Sequence, residues 1–274
     1  MKRGVSLIVR TITISFALIM VLVAAQPAKA EETPTVELNA AFLSQYIWRG
    51  QAFGRDSLVI QPELTIGYYG FSFDMWSNFD TNLYDAGTDD NTGAKVNETD
   101  LTLSYGRSFG PISAEFGTVY YALDGAQDSM ELYLSVGADV LLSPTFSVYR
   151  EVLHYPGWYL KFDISHSFTL TSYMNLDLGA SIAYEISEDA DLYPDVDSDG
   201  VPNFNDEYSG FLDGTVSASL PISVGKYFTI TPLVTLTYGP GGDAENLLKY
   251  INDGLINRDT STFVYGGVNF TFAF

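Results

Sequence analysis

The sequence predicts an all-β fold, an antiparallel up-and-down transmembrane β-barrel of about twelve strands. Three observations lead there. Apolar and polar residues alternate with a period of two along most of the chain. The alternating runs are long, where membrane strands need about 9–11 residues and strands of soluble domains are nearer 5–6. The connections between them alternate short and long, as in barrels with short periplasmic turns and longer outer loops.

Taken in order, the strands are expected at Val36–Trp48, Leu58–Tyr69, Phe71–Thr81, Thr99–Phe109, Ile112–Leu123 and Met130–Val140. Thr145–Leu153, Trp158–Leu170, Leu176–Ile186, Tyr208–Ile222, Tyr227–Tyr238 and Phe263–Phe274 follow. The last is the clearest. One face reads Val264, Gly266, Val268, Phe270, Phe272, Phe274; the other becomes small and polar towards Asn269, Thr271 and Ala273. Short links fall at Gly70, Gly110-Pro111, Leu141–Pro144, Thr171–Asn175 and Ser223–Lys226. Longer ones fall at Arg49–Ser57, Asn82–Glu98, Ser187–Glu207 and Gly239–Thr262, with Asp124–Ser129 and His154–Gly157 as brief exceptions on that side. A β-sandwich also alternates its faces, but it would not readily join strands this long in simple succession. In the last long loop, Asp243 could cap a short helix and Gly254 end it, with Leu247, Leu248, Tyr250 and Ile251 on its apolar face.

The N-terminus fits export. Lys2, Arg3 and Arg10 precede an apolar run from Thr11 to Ala25, and Ala28-Lys29-Ala30 is a small-x-small cleavage site. Residues 1–30 therefore read as a cleaved secretory signal and residues 31–274 as the barrel. There is no cysteine, which excludes disulfides and thiolate metal sites. With 13 Lys+Arg against 34 Asp+Glu the chain carries a net charge of −21, a balance that excludes nucleic acid as a partner.

Particular stretches carry a family likeness. LSQYIWRGQAF near the start is followed by LVIQPELTIGYYGFSFDMWSNFD, LSPTFSVYREV, GWYLKFDISHSF, LDLGASIAYEI and SASLPISV. These resemble the TorF-like porins, a poorly characterised family of bacterial outer-membrane proteins. The Tyr46-x-Trp48-Arg49-Gly50 start and the Leu142-Ser143-Pro144-Thr145 turn carry most of the likeness. The resemblance implies an outer-membrane barrel with a transport role, and it brings neither catalytic residues nor a substrate. With it come the expected partners: outer-membrane lipid, the barrel-assembly machinery acting on the strand that ends in Phe274, and small solutes.

The polar faces of the strands give the expected lumen lining. Its acidic members are Glu37, Glu63, Asp74, Asp80, Asp100, Glu115, Glu131, Asp139, Asp163, Asp177, Glu185 and Asp213; its basic members are Arg49 and Lys161. Acid-lined passages favour cations, so the expected function is a porin-like channel that prefers cations. The alternative is a closed structural or adhesive barrel whose acids are bridged by water and neighbours. Gly67, Gly106, Gly117, Gly137 and Gly179 share the polar face and favour open space.

DVDSDGVPNFND, residues 195–206, has the register of a twelve-position calcium loop. Asp195, Asp197, Asp199, the Val201 carbonyl, Asn203 and Asp206 stand at the ligand positions and Gly200 at the sharp turn. Hard oxygen donors in flexible geometry suit calcium. Asp at position 12 reaches less far than the usual Glu; a structural calcium ion that stiffens this outer loop is expected, with a solvated acidic loop as the alternative. Arg150 alternates with apolar residues. Facing lipid near the midplane it would cost about 2–4 kcal/mol, so a bulge or another register is expected there. Arg107 falls on the lipid face near a strand end, where its head can snorkel. The two histidines, His154 and His166, form no catalytic pattern, and no enzyme activity is expected.

Overall fold

The computed structural model describes residues 33–274; the expected signal, residues 1–30, lies outside the described residues. The chain forms a closed antiparallel barrel of 12 strands. They are β1 (Thr35–Leu43), β2 (Val59–Tyr68), β3 (Phe71–Asp85), β4 (Asp90–Phe109), β5 (Ile112–Leu123) and β6 (Ser129–Ala138). Then come β7 (Thr145–Glu151), β8 (Gly157–Thr171), β9 (Met174–Ser187), β10 (Ser209–Ser219, resumed at Ile222–Val224), β11 (Phe228–Tyr238) and β12 (Thr262–Ala273). The break in β10 falls at Leu220-Pro221, where proline has no N–H to give to the ladder. Pairing with β11 keeps the same register on both sides of it.

Each strand pairs with its neighbours in sequence, and β12 closes on β1. At this seam Phe274 donates its N–H to the Val36 carbonyl at 3.0 Å and accepts from Val36 at 2.9 Å. Register fixes the two faces. Leu38, Ile66, Phe73, Leu103, Phe162, Val216 and Val264 point outward and are exposed, Val264 by 70%. So much apolar surface is unfavourable in water and matches a hydrocarbon surround. Aromatic pairs band the two rims: Phe71–Tyr105 and Tyr227–Phe272 at the short-turn end, Tyr184–Phe211 at the other.

Three sequence expectations change. The first strand stops at Leu43 instead of Trp48, and Ile47–Trp48 pairs with Gln51–Ala52 in a small hairpin. The stretch 82–98 is not a long loop. β3 and β4 extend through it with irregular pairing and turn at 86–89. Arg150 needs no bulge, because β7 pairs regularly with β6 and β8. It does face outward, but one residue from the strand end. There it donates to the Gly157 carbonyl at 3.2 Å and to Glu188 at 2.8 Å, over the Trp158 ring. Arg107, near the other rim, donates to the Tyr105 hydroxyl.

The last loop holds α1 (Gly242–Ile256). It starts one residue before Asp243 and runs past Gly254 to Asn257, whose left-handed backbone (φ 50°) ends it. Asp243 does not cap it; Asp243 and Glu245 sit in the first turn, where the helix dipole favours acids.

Candidate functional site

The upper half of the lumen contains a small apolar core, which the strand pattern does not announce. Loop 44–58 sends the hairpin Ile47–Ala52 inward, with Arg49 and Gly50 at its tip in left-handed conformation (φ 49° and 78°). A non-glycine residue pays a steric cost there, so the surroundings must hold it. Arg49 donates to both carboxylate oxygens of Glu131, at 2.8 and 2.7 Å. Its guanidinium lies 3.9 Å from the Tyr159 ring centroid and 4.3 Å from that of Trp48. Tyr121 donates its hydroxyl to the same Glu131 at 2.8 Å. This bidentate, stacked arrangement suits arginine and would not suit lysine.

The helix α1 lies over this hairpin. Leu247 and Leu248 are fully buried with Tyr159, Ala183, Tyr193 and Leu212. Asn252, also fully buried, accepts from the Ala52 N–H at 2.8 Å and donates to the carbonyls of Gly50 and Thr260 at 3.1 and 3.0 Å. Gln51 donates to the Tyr193 hydroxyl at 2.6 Å. Further out, Arg258 pairs with Asp56, and this hydrogen bonding holds the Asp56 carboxyl below the usual carboxylate range. The first and last long loops are thereby joined into one plug. Asn252→Ala strands buried backbone groups at about 1–3 kcal/mol each. Trypsin is therefore expected to cut after Arg49 in the variant and not in the parent. Equal protection of both would show that Asn252 does not hold the hairpin.

Open space lies at both ends. The short-turn end has a cavity of ≈ 500 Å³ lined by small and polar residues such as Thr35, Gly67, Gly106, Ser113 and Gly137. The mouth has one of ≈ 470 Å³ lined by aromatic and acidic residues, among them Trp48, Tyr159, Glu131 and Glu185. Glycine does not always mean space: at Gly117 the Tyr133 ring lies where a Cβ would stand.

The expected lumen residues can now be placed. Glu37, Glu63, Asp74, Asp80, Asp100, Glu115, Glu131, Lys161, Asp163, Asp177, Glu185 and Asp213 all share the inward register. Arg49 reaches the interior from the loop. Asp139 lies past the end of β6, exposed in the turn. Many of these groups are partnered: Glu115 by Tyr133, Asp213 by Tyr159, Asp74 by Thr65, Asp80 by Ser57 and Lys161 by Asp163. Asp100 and Asp177 each keep one buried oxygen without a hydrogen bond among the described residues. Both inward cations are already paired.

Glu98 and Glu151 also face inward, and sequence reasoning missed them. Glu98 lay in an assumed loop, although it alternates with Asp100. Glu151 accepts backbone N–H bonds from residues 153–155 and so caps its own turn.

Residues 195–206 form a hairpin, Pro194–Val196 against Pro202–Glu207. Asp195 stands opposite Asn203, and the Asp197 carboxylate accepts from the N–H groups of Asp199 and Val201, both at 2.9 Å. Among the described residues no three acidic or histidine side chains gather to hold a metal.

Fold and lumen together define the class, a transmembrane β-barrel with a plug built from its own loops. Solved structures share the barrel fold. The chain is similar to the KdgM porin, at 14% identity over 87% of this chain and 99% of that one, with a TM-score of 0.50. It is similar to the NanC porin at 10% identity over 86% and 98%, also with a TM-score of 0.50. Identities this low speak for the fold alone. No family model and no curated sequence matches the chain.

Proposed function

We propose that the protein is an outer-membrane, porin-like channel for passive diffusion of small solutes, with a preference for cations. The observation that carries this reading is the lumen's charge. Carboxylates line the inward face from Glu37 to Asp213, while its two cations are consumed by Glu131 and Asp163. Such a lumen lowers the energy of a passing cation and raises that of an anion. The TorF-like resemblance and the porin-like architecture support the same reading, as does the outward apolar band for outer-membrane lipid. Export would follow cleavage after residue 30, and assembly would proceed through β12 and its terminal Phe274.

A second reading has its own support. The hairpin and α1 fill much of the upper lumen, as expected of a structural or adhesive barrel with a closed mouth. Single-channel recording of refolded residues 31–274 under a potassium chloride gradient separates the two. Steady openings with a cation-biased reversal potential are expected; silence from a correctly folded barrel would favour the closed reading.

Calcium at residues 195–206 is proposed on loop register alone. The turn bonds of Asp197 use only its Oδ1, which leaves Oδ2 for a calcium ion. Recordings with and without calcium, beside calcium titration of an Asp199→Asn variant, test that separately.

A further inference from the structure

We propose that the mouth cavity is a binding site for a small organic cation carrying a guanidinium or ammonium group. The proposal rests on the channel reading for its biological meaning, and it adds the class of solute. The cavity, ≈ 470 Å³, lies within the usual range of small-molecule sites, about 300–1,000 Å³.

Its walls show how they treat a cation, because one is already there. Arg49 is held by two ring faces, Trp48 and Tyr159, and by a bidentate carboxylate, Glu131. These are the two attractions, ring quadrupole and carboxylate charge, that select organic cations.

A second carboxylate in the same cavity has no such partner. Glu185 is only 5% exposed and lines the cavity. It has no hydrogen bond and no ion pair among the described residues; its electrostatic neighbours are Arg49, already bound to Glu131, and further carboxylates. A buried carboxylate left this way is costly unless something satisfies it. Glu98 and Asp253 line the same space, and Arg49 is the only basic residue that does. Tyr193, Tyr155 and Tyr250 add further aromatic wall. An anionic solute finds no free cation here, because Arg49 is bound to Glu131, whereas a cation gives the buried Glu185 carboxyl a charged partner.

Equilibrium binding tests this without requiring conduction. In the folded, detergent-solubilised protein, Trp76→Phe and Trp158→Phe leave Trp48 as the reporter in the cavity wall. Titration with agmatine is expected to change its emission saturably, while glutarate and 1,4-butanediol leave it unchanged. Glu185→Gln is expected to weaken agmatine about tenfold, the scale of one lost charge contact. Agmatine that binds no better than 1,4-butanediol overturns the proposal, and that comparison needs only the parent protein. So does an unchanged Kd in a folded Glu185→Gln variant. Agmatine binding by a silent barrel would sink the channel reading and leave this site standing. Conduction without agmatine binding would do the reverse.

Discussion

Arg49→Ala is expected to release the Ile47–Ala52 hairpin from the barrel wall and to raise conductance. Arg49 and Glu131 are 12% and 4% exposed at their side chains, so neither is well screened by water. Removing one partner of such a pair costs about 3–5 kcal/mol, because the other charge stays buried. Tyr121 alone would then serve Glu131. The left-handed backbone at position 49 would lose the contacts that hold it. The readout is Trp48 emission in a background lacking the other tryptophans, which should shift to the red as the ring meets water. Channel recordings should show larger or noisier currents alongside. Replacing both partners, Arg49→Met with Glu131→Leu, should recover the anchored emission, since apolar groups of similar size need no counter-charge. Unchanged emission and current in Arg49→Ala would mean that Asn252 and the buried leucines hold the plug without the ion pair.

Gly267→Ala is expected to block closure of the barrel. Gly267 sits in β12 opposite Leu43 of β1. A Cβ there would lie 1.8 Å from the Phe42 carbonyl oxygen. The obstacle is backbone, so no side-chain rotation relieves it. The cost should reach about 3 kcal/mol or more, the upper end for over-packing, and it falls on the one strand pair that closes the barrel. The measure is the fraction of refolded protein that migrates as the compact species on an unheated gel. Gly242→Ala, where a Cβ meets nothing within 4 Å, is the control and should fold like the parent. A Gly267→Ala variant that folds equally well would show that the seam can shift.

Most of the barrel was legible because strand periodicity is local. Faces, turns and the outward residues of β12 follow from alternation alone, and Glu131, Glu185 and Asp213 were placed inward by the same rule. The plug was not legible, because its logic is not periodic. Trp48-Arg49-Gly50 continues the alternation of β1, and only the contacts with Glu131 and Tyr159 explain why the chain turns inward instead. Asn252 looks like any polar residue of a short helix until its partners at Gly50, Ala52 and Thr260 are seen. Calcium-loop register described spacing, whereas the Asp197 bonds describe how that spacing folds.

The plug's two halves come from opposite ends of the chain. The bond from Ala52 to Asn252 spans 200 residues, and its halves flank the β1–β12 seam. Contacts this distant in sequence form late, since the intervening chain must first be ordered. Mouth assembly is therefore a clock for insertion. While the seam is open, the nascent barrel has no plug and offers a wide, ungated hole. Once β12 meets β1, the same event that seals the wall brings helix and hairpin together. A cell that stalls assembly at the last strand would be left with a leak instead of a plugged barrel.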